Sequence, residues 1–354
     1  MNACAIIVSV KALVLSGGGA RGAYEAGVIA GLYQAGETFD IVCGTSIGAI
    51  NGAMVAQDNV AELSTLWQTI GTTPVISYVP LVQELRDMLN KAEILVKGSV
   101  FRRLGAVLGL AWDLLDFGPP GAILKLMGAI DPAPIQKILG QHLNYAALQR
   151  TLILSTTNVT AGTADSFYRF TDPAGGTAFA QAQTSPNVAW PLTTQNYVDV
   201  VRASASIPGA FSPVSIDVGS ISLYVDGGVA NNTPVGQAID AGATDVTIIL
   251  LSPDGTQPPQ QIDNLAQVGF SCLALMQEKI LESDLKTALR VNESVKAGSG
   301  GRGSRGDTRR AVTFRSFRPK TALSIGVLQF DKPDLIQQAF AAGLADAKTG
   351  GQVL

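Results

Sequence analysis

Histidine is almost missing from this chain: His142 is the only one in 354 residues. Cysteine is scarce as well, with Cys4, Cys43 and Cys272 far apart. Those shortages argue against a disulfide framework and against a metal centre built on imidazole and thiolate, so no metal is expected. Cys43 lies in an apolar stretch, where a buried, inert thiol is expected. Charge is thin, at 15% of residues with a net charge of -3, which disfavours nucleic acid as a partner. No run reaches the roughly 18 uncharged apolar residues that a membrane-crossing helix needs. The N-terminal MNACAIIVSVKALVLSGGG has no basic leading region, and Lys11 interrupts its apolar run. A glycine turn stands where a signal peptide would have its cleavage site, so Lys11–Leu15 is expected to be a core strand. A cytoplasmic or peripherally membrane-associated protein is therefore expected, with export by another route left open.

What is abundant is apolar: hydrophobic residues make up 47% of the chain, enough for a large core and little disorder. Apolar runs alternate with helical periodicity in the first sixty residues. Ala12–Leu15 and Asp40–Cys43 read as strands, with helices over Ala23–Gln34 and from Ser46 to about Ala56. Such alternation predicts an α/β fold, with a mostly parallel sheet flanked by helices. We expect one domain over residues 1–354, with its motif-bearing core in 11–250.

Residues 60–130 read as a helical insertion, with a stripe of Leu81, Leu85, Met88, Leu89, Ala92 and Leu95, and with Arg102 and Arg103 beyond it. The pattern then resumes. Strands are predicted over Thr151–Thr156, Phe167–Thr171, Ile221–Val225, Val246–Leu251 and Ala311–Phe317. Helices are predicted over Gln195–Ser204, from about Pro234 to Ala241, and over Leu265–Val295 and Asp334–Ala347. Residues 296–310 form a basic glycine-rich loop (Lys296, Arg302, Arg305, Arg309 and Arg310), and 311–354 supply a closing strand and helix.

Three short stretches could carry chemistry. IVCGTSIGAIN contains G-x-S-x-G, and Ser46 follows a strand and opens a helix, as a nucleophile elbow requires. Gly44 and Gly48 remove the Cβ atoms that would crowd such a turn. A plain serine N-cap is the competing reading. SGGGARG, residues 16–22, satisfies the dinucleotide-binding pattern G-x-G-x-x-G. Asp40, however, precedes its strand, whereas a ribose-binding acid should end one. Three successive glycines (Gly17, Gly18, Gly19) suit a row of N–H groups facing one anionic oxygen, with Arg21 and Gly22 supporting the loop. An ordinary glycine-rich turn remains open there. In YVDGGVANNTP, Asp226 ends an apolar strand before Gly227 and Gly228, which would bring its carboxylate to the sheet's C-terminal edge. It reads either as a base of raised pKa or as an Asp-Gly turn. His142 lies in an amphipathic helix, IQKILGQHLNYAAL, and reads as structural.

Together these stretches resemble the patatin-like phospholipases, bacterial members included. Gly17-Gly18-Gly19-Ala20-Arg21-Gly22 matches the family's glycine-rich motif, Gly44-Thr45-Ser46-Ile47-Gly48 its elbow, and Asp226-Gly227-Gly228 its D-G-[AG] motif. Arg202-Ala203-Ser204-Ala205-Ser206-Ile207-Pro208 and Asn231-Asn232-Thr233-Pro234 match lesser segments. The resemblance implies a three-layer α/β/α fold, a Ser46–Asp226 dyad that needs no histidine, and an oxyanion hole at Gly17, Gly18 and Gly19. It also implies a metal-independent serine esterase without a cofactor, acting on phospholipid, lysophospholipid or other fatty-acyl esters. Within the helical stretch 60–130, the segment from about 75 to 130 would then be a lid or acyl-binding wall that meets a membrane surface, with a helical insertion packed on the core as the alternative. An acyltransferase using the same serine, and a nucleotide-binding module, are the competing functions. Oligomeric state is not legible.

Overall fold

The computed structural model describes residues 9–72, 77–78, 130–183, 187–254, 265–299 and 310–354. The chain opens with β1 (Lys11–Leu15), α1 (Gly22–Gln34), β2 (Ile41–Thr45), α2 (Ile47–Ala56) and α3 (Val60–Thr69). Two short strands, β3 (Ser77–Tyr78) and β4 (Ile130–Asp131), pair antiparallel on either side of residues 79–129. The apolar stripe from Leu81 to Leu95, and Arg102 and Arg103, lie outside the described residues. So do Arg302, Arg305 and Arg309 of the basic loop.

Next come α4 (Ala133–His142), β5 (Thr151–Asn158), β6 (Thr163–Arg169), α5 (Pro173–Ala182), β7 (Asn187–Pro191) and α6 (Tyr197–Ser204). They are followed by β8 (Val214–Asp217), β9 (Ile221–Asp226), α7 (Val235–Asp240) and β10 (Asp245–Ile249). The chain ends with α8 (Leu265–Lys296), β11 (Thr313–Phe317), α9 (Pro333–Ala347) and β12 (Gln352–Val353).

Eight strands of one ten-stranded sheet run in the order β12-β11-β10-β1-β2-β5-β6-β7, and the other two branch from it, β9 pairing with β5 and β8 with β9. The five strands from β11 to β5 are mutually parallel, and helices cover both faces. Side-chain alternation sorts the core into two layers. Leu13, Leu15, Val42 and Leu154 pack with α1, α2 and α9 on one face. Ala12, Val14, Cys43 and Ile153 pack with Val235 and Ala238 of α7 and Leu281 of α8 on the other.

Strands β3, β4, β7, β8 and β12 lie outside every predicted strand, and β6 and β9 depart from the expectation in extent and direction. The predicted strand Phe167–Thr171 is β6, which begins four residues earlier, at Thr163. Its first half is polar, and side-chain hydrogen bonds hold it where apolar burial does not. Asp165 is buried and accepts from Tyr224 Oη (2.8 Å), Trp190 Nε1 (3.0 Å), Asn158 Nδ2 (3.2 Å) and Thr163 Oγ1 (2.6 Å). The second departure is direction. Strand β9 does not join the parallel set: it pairs antiparallel with the far end of β5, Thr156 facing Asp226 and Asn158 facing Tyr224. Strand β2 pairs with the near end of β5, Ile41 facing Thr151 and Thr45 facing Ser155. Strands β2 and β9 therefore run toward each other along one side of β5, and their C-terminal ends meet.

Helix α1 is buried on nearly every side, between the sheet and α9. A methyl group added at Gly343 would lie 2.0 Å from Tyr24 O, and one at Gly27 2.0 Å from Phe340 O. The helices touch backbone to backbone. Gly343→Ala should therefore destabilise the protein by about 2 kcal/mol, the overpacking cost exceeding the helix-propensity gain of about 1 kcal/mol. Gly140→Ala in α4, where nothing lies within 4 Å, should be neutral or slightly stabilising. Chemical denaturation of the two variants beside wild type checks this contrast.

Candidate active site

The meeting of β2 and β9 brings Ser46 and Asp226 together. Ser46 Oγ donates to Asp226 Oδ2 at 2.6 Å. Ser46 sits between β2 and α2 with φ 55 and ψ -124, in the left-handed region that non-glycine residues rarely adopt. The elbow is held from several sides. Its N–H donates to Ser204 Oγ at 3.0 Å, and that hydroxyl donates to Ser155 O at 2.7 Å. Thr45 Oγ1 donates to Asn231 O at 3.0 Å, tying the elbow to the turn after Asp226. Crowding explains the elbow glycines: a methyl at Gly44 would lie 2.2 Å from Gly48 O, and one at Gly48 2.5 Å from Leu15 O. Ser46 does not cap α2 with its side chain, so the N-cap reading fails.

Asp226 is completely buried. Its Oδ1 accepts the Gly228 N–H at 2.7 Å, its own N–H donates to Ser206 O at 2.9 Å, and its carbonyl accepts Thr157 Oγ1–H at 3.0 Å. Burial pushes the carboxyl up to about 7, although the hydrogen bonds from Ser46 and Gly228 pull the other way. A methyl at Gly227 would lie 2.2 Å from Ser155 O, so the turn needs glycine there.

The loop Gly17–Gly19 lies beside this pair: a methyl on Gly17 would come within 3.0 Å of Ser46 Cβ. The expectation of three oxyanion donors is corrected at Gly17, whose N–H donates to Asn232 O at 3.2 Å and is thereby used in holding the loop. Ala20 N–H donates to Val327 O at 2.8 Å. Among the described residues, the N–H groups of Gly18 and Gly19 have no such partner. Arg21 Nε donates to Ile325 O at 3.3 Å; burial lowers the guanidinium's pKa, and the charge of Glu278 opposes that. Gly22 packs on the elbow helix, where a methyl would lie 2.4 Å from Ile47 Cγ1.

A cavity of about 260 Å³ opens beside the loop, walled by Gly17, Gly18, Arg21, Asn232, Leu251 and Val327, with α8 closing its other side. Ser46 is 4% exposed, next to this wall. Three supports escaped sequence reasoning. Val327 and Ile325 come from a segment without a motif, and Gln277 and Glu278 from a helix that reads as ordinary amphipathic. Asn232 belongs to a lesser matching segment that assigns it no role.

The remaining candidates lie elsewhere. His142 Nδ1 is 2.6 Å from Glu62 Oε1, at the end of α4. Asp40 accepts the Lys11 N–H at 2.9 Å, at the opposite end of β1 from the glycine loop, so it is out of reach of a ribose placed there. The Cys43 thiol is fully buried, which raises its pKa. Among the described residues, no three His, Cys, Asp or Glu side chains gather where a metal could be held, and no helix is long and apolar enough to cross a membrane.

A strained serine on a strand–helix elbow, bonded to a buried aspartate beside a glycine loop, defines the class: an α/β protein with a Ser–Asp pair at the C-terminal edge of a parallel sheet. The model of the patatin-like phospholipase family matches residues 13–239, and the chain belongs to that family. Lysophospholipase nte1 of Aspergillus terreus is 61% identical over 46 residues, which are 13% of this chain and 3% of the fungal protein. The protein YjjU of Escherichia coli K12 is 29% identical over 245 residues, covering 68% of this chain and 52% of YjjU. The chain thus spans about half of one relative and a small part of the other. Among solved structures, VipD from Legionella pneumophila aligns with a TM-score of 0.40 and 14% identity, covering 96% of this chain and 66% of VipD.

The raised pKa of Asp226 has a consequence for stability. From an ordinary value of 3.8 to about 7, the folded protein holds a proton that the unfolded chain has lost. This contribution is complete below pH 4 and is lost as pH rises through 7, on the order of 4 kcal/mol in all. Asp226→Asn should remove that dependence and raise the melting temperature at pH 8, while changing it little at pH 4. Thermal unfolding at the two pH values is the check.

Proposed function

We propose that this protein is a serine acyl-ester hydrolase acting on lipids, using Ser46 as nucleophile and Asp226 as its base. The observation that carries this reading is the 2.6 Å bond between Ser46 Oγ and a fully buried carboxylate. A dyad without histidine needs an acid strong enough to be ionised near neutrality yet basic enough to take a hydroxyl proton. A carboxyl pushed up to about 7 meets both demands.

Asp226 Oδ2 takes the proton as Ser46 Oγ attacks the ester carbonyl. In this reading the Gly18 and Gly19 amides, which have no partner among the described residues, donate to the oxygen that becomes negative. The proton then passes from Asp226 to the departing alcohol, leaving an acyl-Ser46. Water then attacks the acyl carbonyl and gives one proton to Asp226, which passes it to Ser46 Oγ as the acyl–oxygen bond breaks and the acid leaves.

Membership in a phospholipase family and likeness to a lysophospholipase favour fatty-acyl esters as substrates. Leu251, Leu275, Leu281 and Val327 give the cavity beside the loop apolar walls suited to part of an acyl chain. A peripheral contact with the membrane that supplies the lipid belongs to the same reading.

Fatty-acid release from p-nitrophenyl esters and phospholipids tests the reading. Ser46→Ala and Asp226→Ala should each lose activity by about 10³-fold or more. Chelator should leave the wild type unaffected. The wild-type kcat/KM should rise with pH to a plateau, half-maximal near 7, as Asp226 ionises. Activity that survives Ser46→Ala would overturn the mechanism.

A further inference from the structure

Asn232 stands out among the buried polar side chains near the dyad. Only 6% of it is exposed, and its main-chain carbonyl already serves the site by holding Gly17. Its side-chain Oδ1 is buried and accepts no hydrogen bond from the described protein atoms. A buried acceptor left unpaired costs about 1–3 kcal/mol, so such an atom calls for a donor.

Its position indicates which donor. A methyl on Gly17 would lie 2.4 Å from Asn232 Oδ1 and 3.0 Å from Ser46 Cβ. One on Gly228 would lie 2.7 Å from Asn232 Oδ1 and 2.9 Å from Asp226 Oδ1. The amide oxygen therefore sits buried between the glycine loop and the dyad, in a residue that lines the cavity. Gln277 Nε2 approaches the same spot above Gly228 without donating to Asn232.

We propose that Asn232 Oδ1 is the second acceptor for the water that hydrolyses acyl-Ser46, and that it thereby favours water over an alcohol as the acyl acceptor. The inference rests on the hydrolase reading above and deepens it. An attacking water has two O–H groups and aims a lone pair at the carbonyl carbon. One proton goes to Asp226; the other O–H, in a water-poor cleft, needs an acceptor of its own. As the tetrahedral intermediate collapses, the new C–O bond to water remains and the bond to Ser46 Oγ breaks. Asp226 returns its proton to Ser46 Oγ, and the second proton stays on the new carboxyl group. The acylation step makes no such demand, because the ester's leaving oxygen carries no hydrogen. Nor does an alcohol acceptor, whose single O–H goes to Asp226. Removing Oδ1 should slow hydrolysis while sparing acylation and transfer.

The test uses Asn232→Ala and the near-isosteric Asn232→Leu, both of which keep the main-chain bond to Gly17. Melting temperatures report folding. With a p-nitrophenyl ester, the burst of p-nitrophenol should stay within about 2-fold of wild type, while steady-state turnover falls about 10-fold. Intact-protein mass spectrometry should find acyl-Ser46 accumulating. With glycerol added, the ratio of acyl transfer to hydrolysis should rise by a similar factor. Burst and turnover falling together, or an unchanged transfer ratio, would overturn the role of Asn232 and leave the hydrolase reading intact. A wild type that never acylates Ser46 would overturn both.

Discussion

The 2.6 Å hydrogen bond between Ser46 and Asp226 is the constraint on which the rest depends, and it is a product of strand direction. Strand β5 is long enough to pair with β2 along its first half and with β9 along its last residues. Because β2 and β9 run in opposite senses, their ends converge at one point on its side. Neither side chain reaches across a gap; the sheet's own hydrogen bonds set the separation. Residues that are 180 apart in sequence are thereby held by backbone pairing.

The site is unfavourable for stability in two ways, and the surrounding structure bears both. Ser46 holds a left-handed backbone that costs of order 1–3 kcal/mol. Asp226 loses its water entirely and recovers only part of that loss through Ser46 and Gly228. Main-chain bonds from Gly17 to Asn232 and from Asp226 to Ser206 lock the turns that carry the strain. The Ser204 hydroxyl passes a chain of bonds from the elbow amide to β5.

The loop, the elbow and the Asp226 turn also meet through atoms too close for side chains. Gly17 faces Asn232 and Ser46, Gly22 faces Ile47, Gly44 faces Gly48, and Gly227 faces Ser155. At these contacts glycine serves close approach. Among the glycines of this site, Gly19, with φ 58 and a methyl position 2.1 Å from Val327 O, needs glycine for both conformation and space. The segment around Val327 thus belongs to the site as a buttress, although it lies far beyond the motifs.

Much of this was legible in order along the chain. Apolar runs locate β1, β2, β5 and β10 to within a few residues, because strands buried on both faces leave a continuous apolar signature. Glycines bounded the turns, and Ser46, Asp226 and the SGGGARG loop were identifiable because elbow and turn chemistry is local. The polar half of β6 was hidden because cross-strand hydrogen bonds to Asp165 replace the apolar alternation there. Sequence could also not show that β9 runs against the parallel set, that Gly17 gives its N–H to Asn232, or that the Asn232 amide oxygen points between the loop and the dyad. Those depend on which strands pair and in which sense, a choice made by the summed packing of two core layers. The sequence by itself determined which groups could do the chemistry. The tertiary structure alone decided how far apart they stand and how little water reaches them, because distance and desolvation are properties of the assembled core.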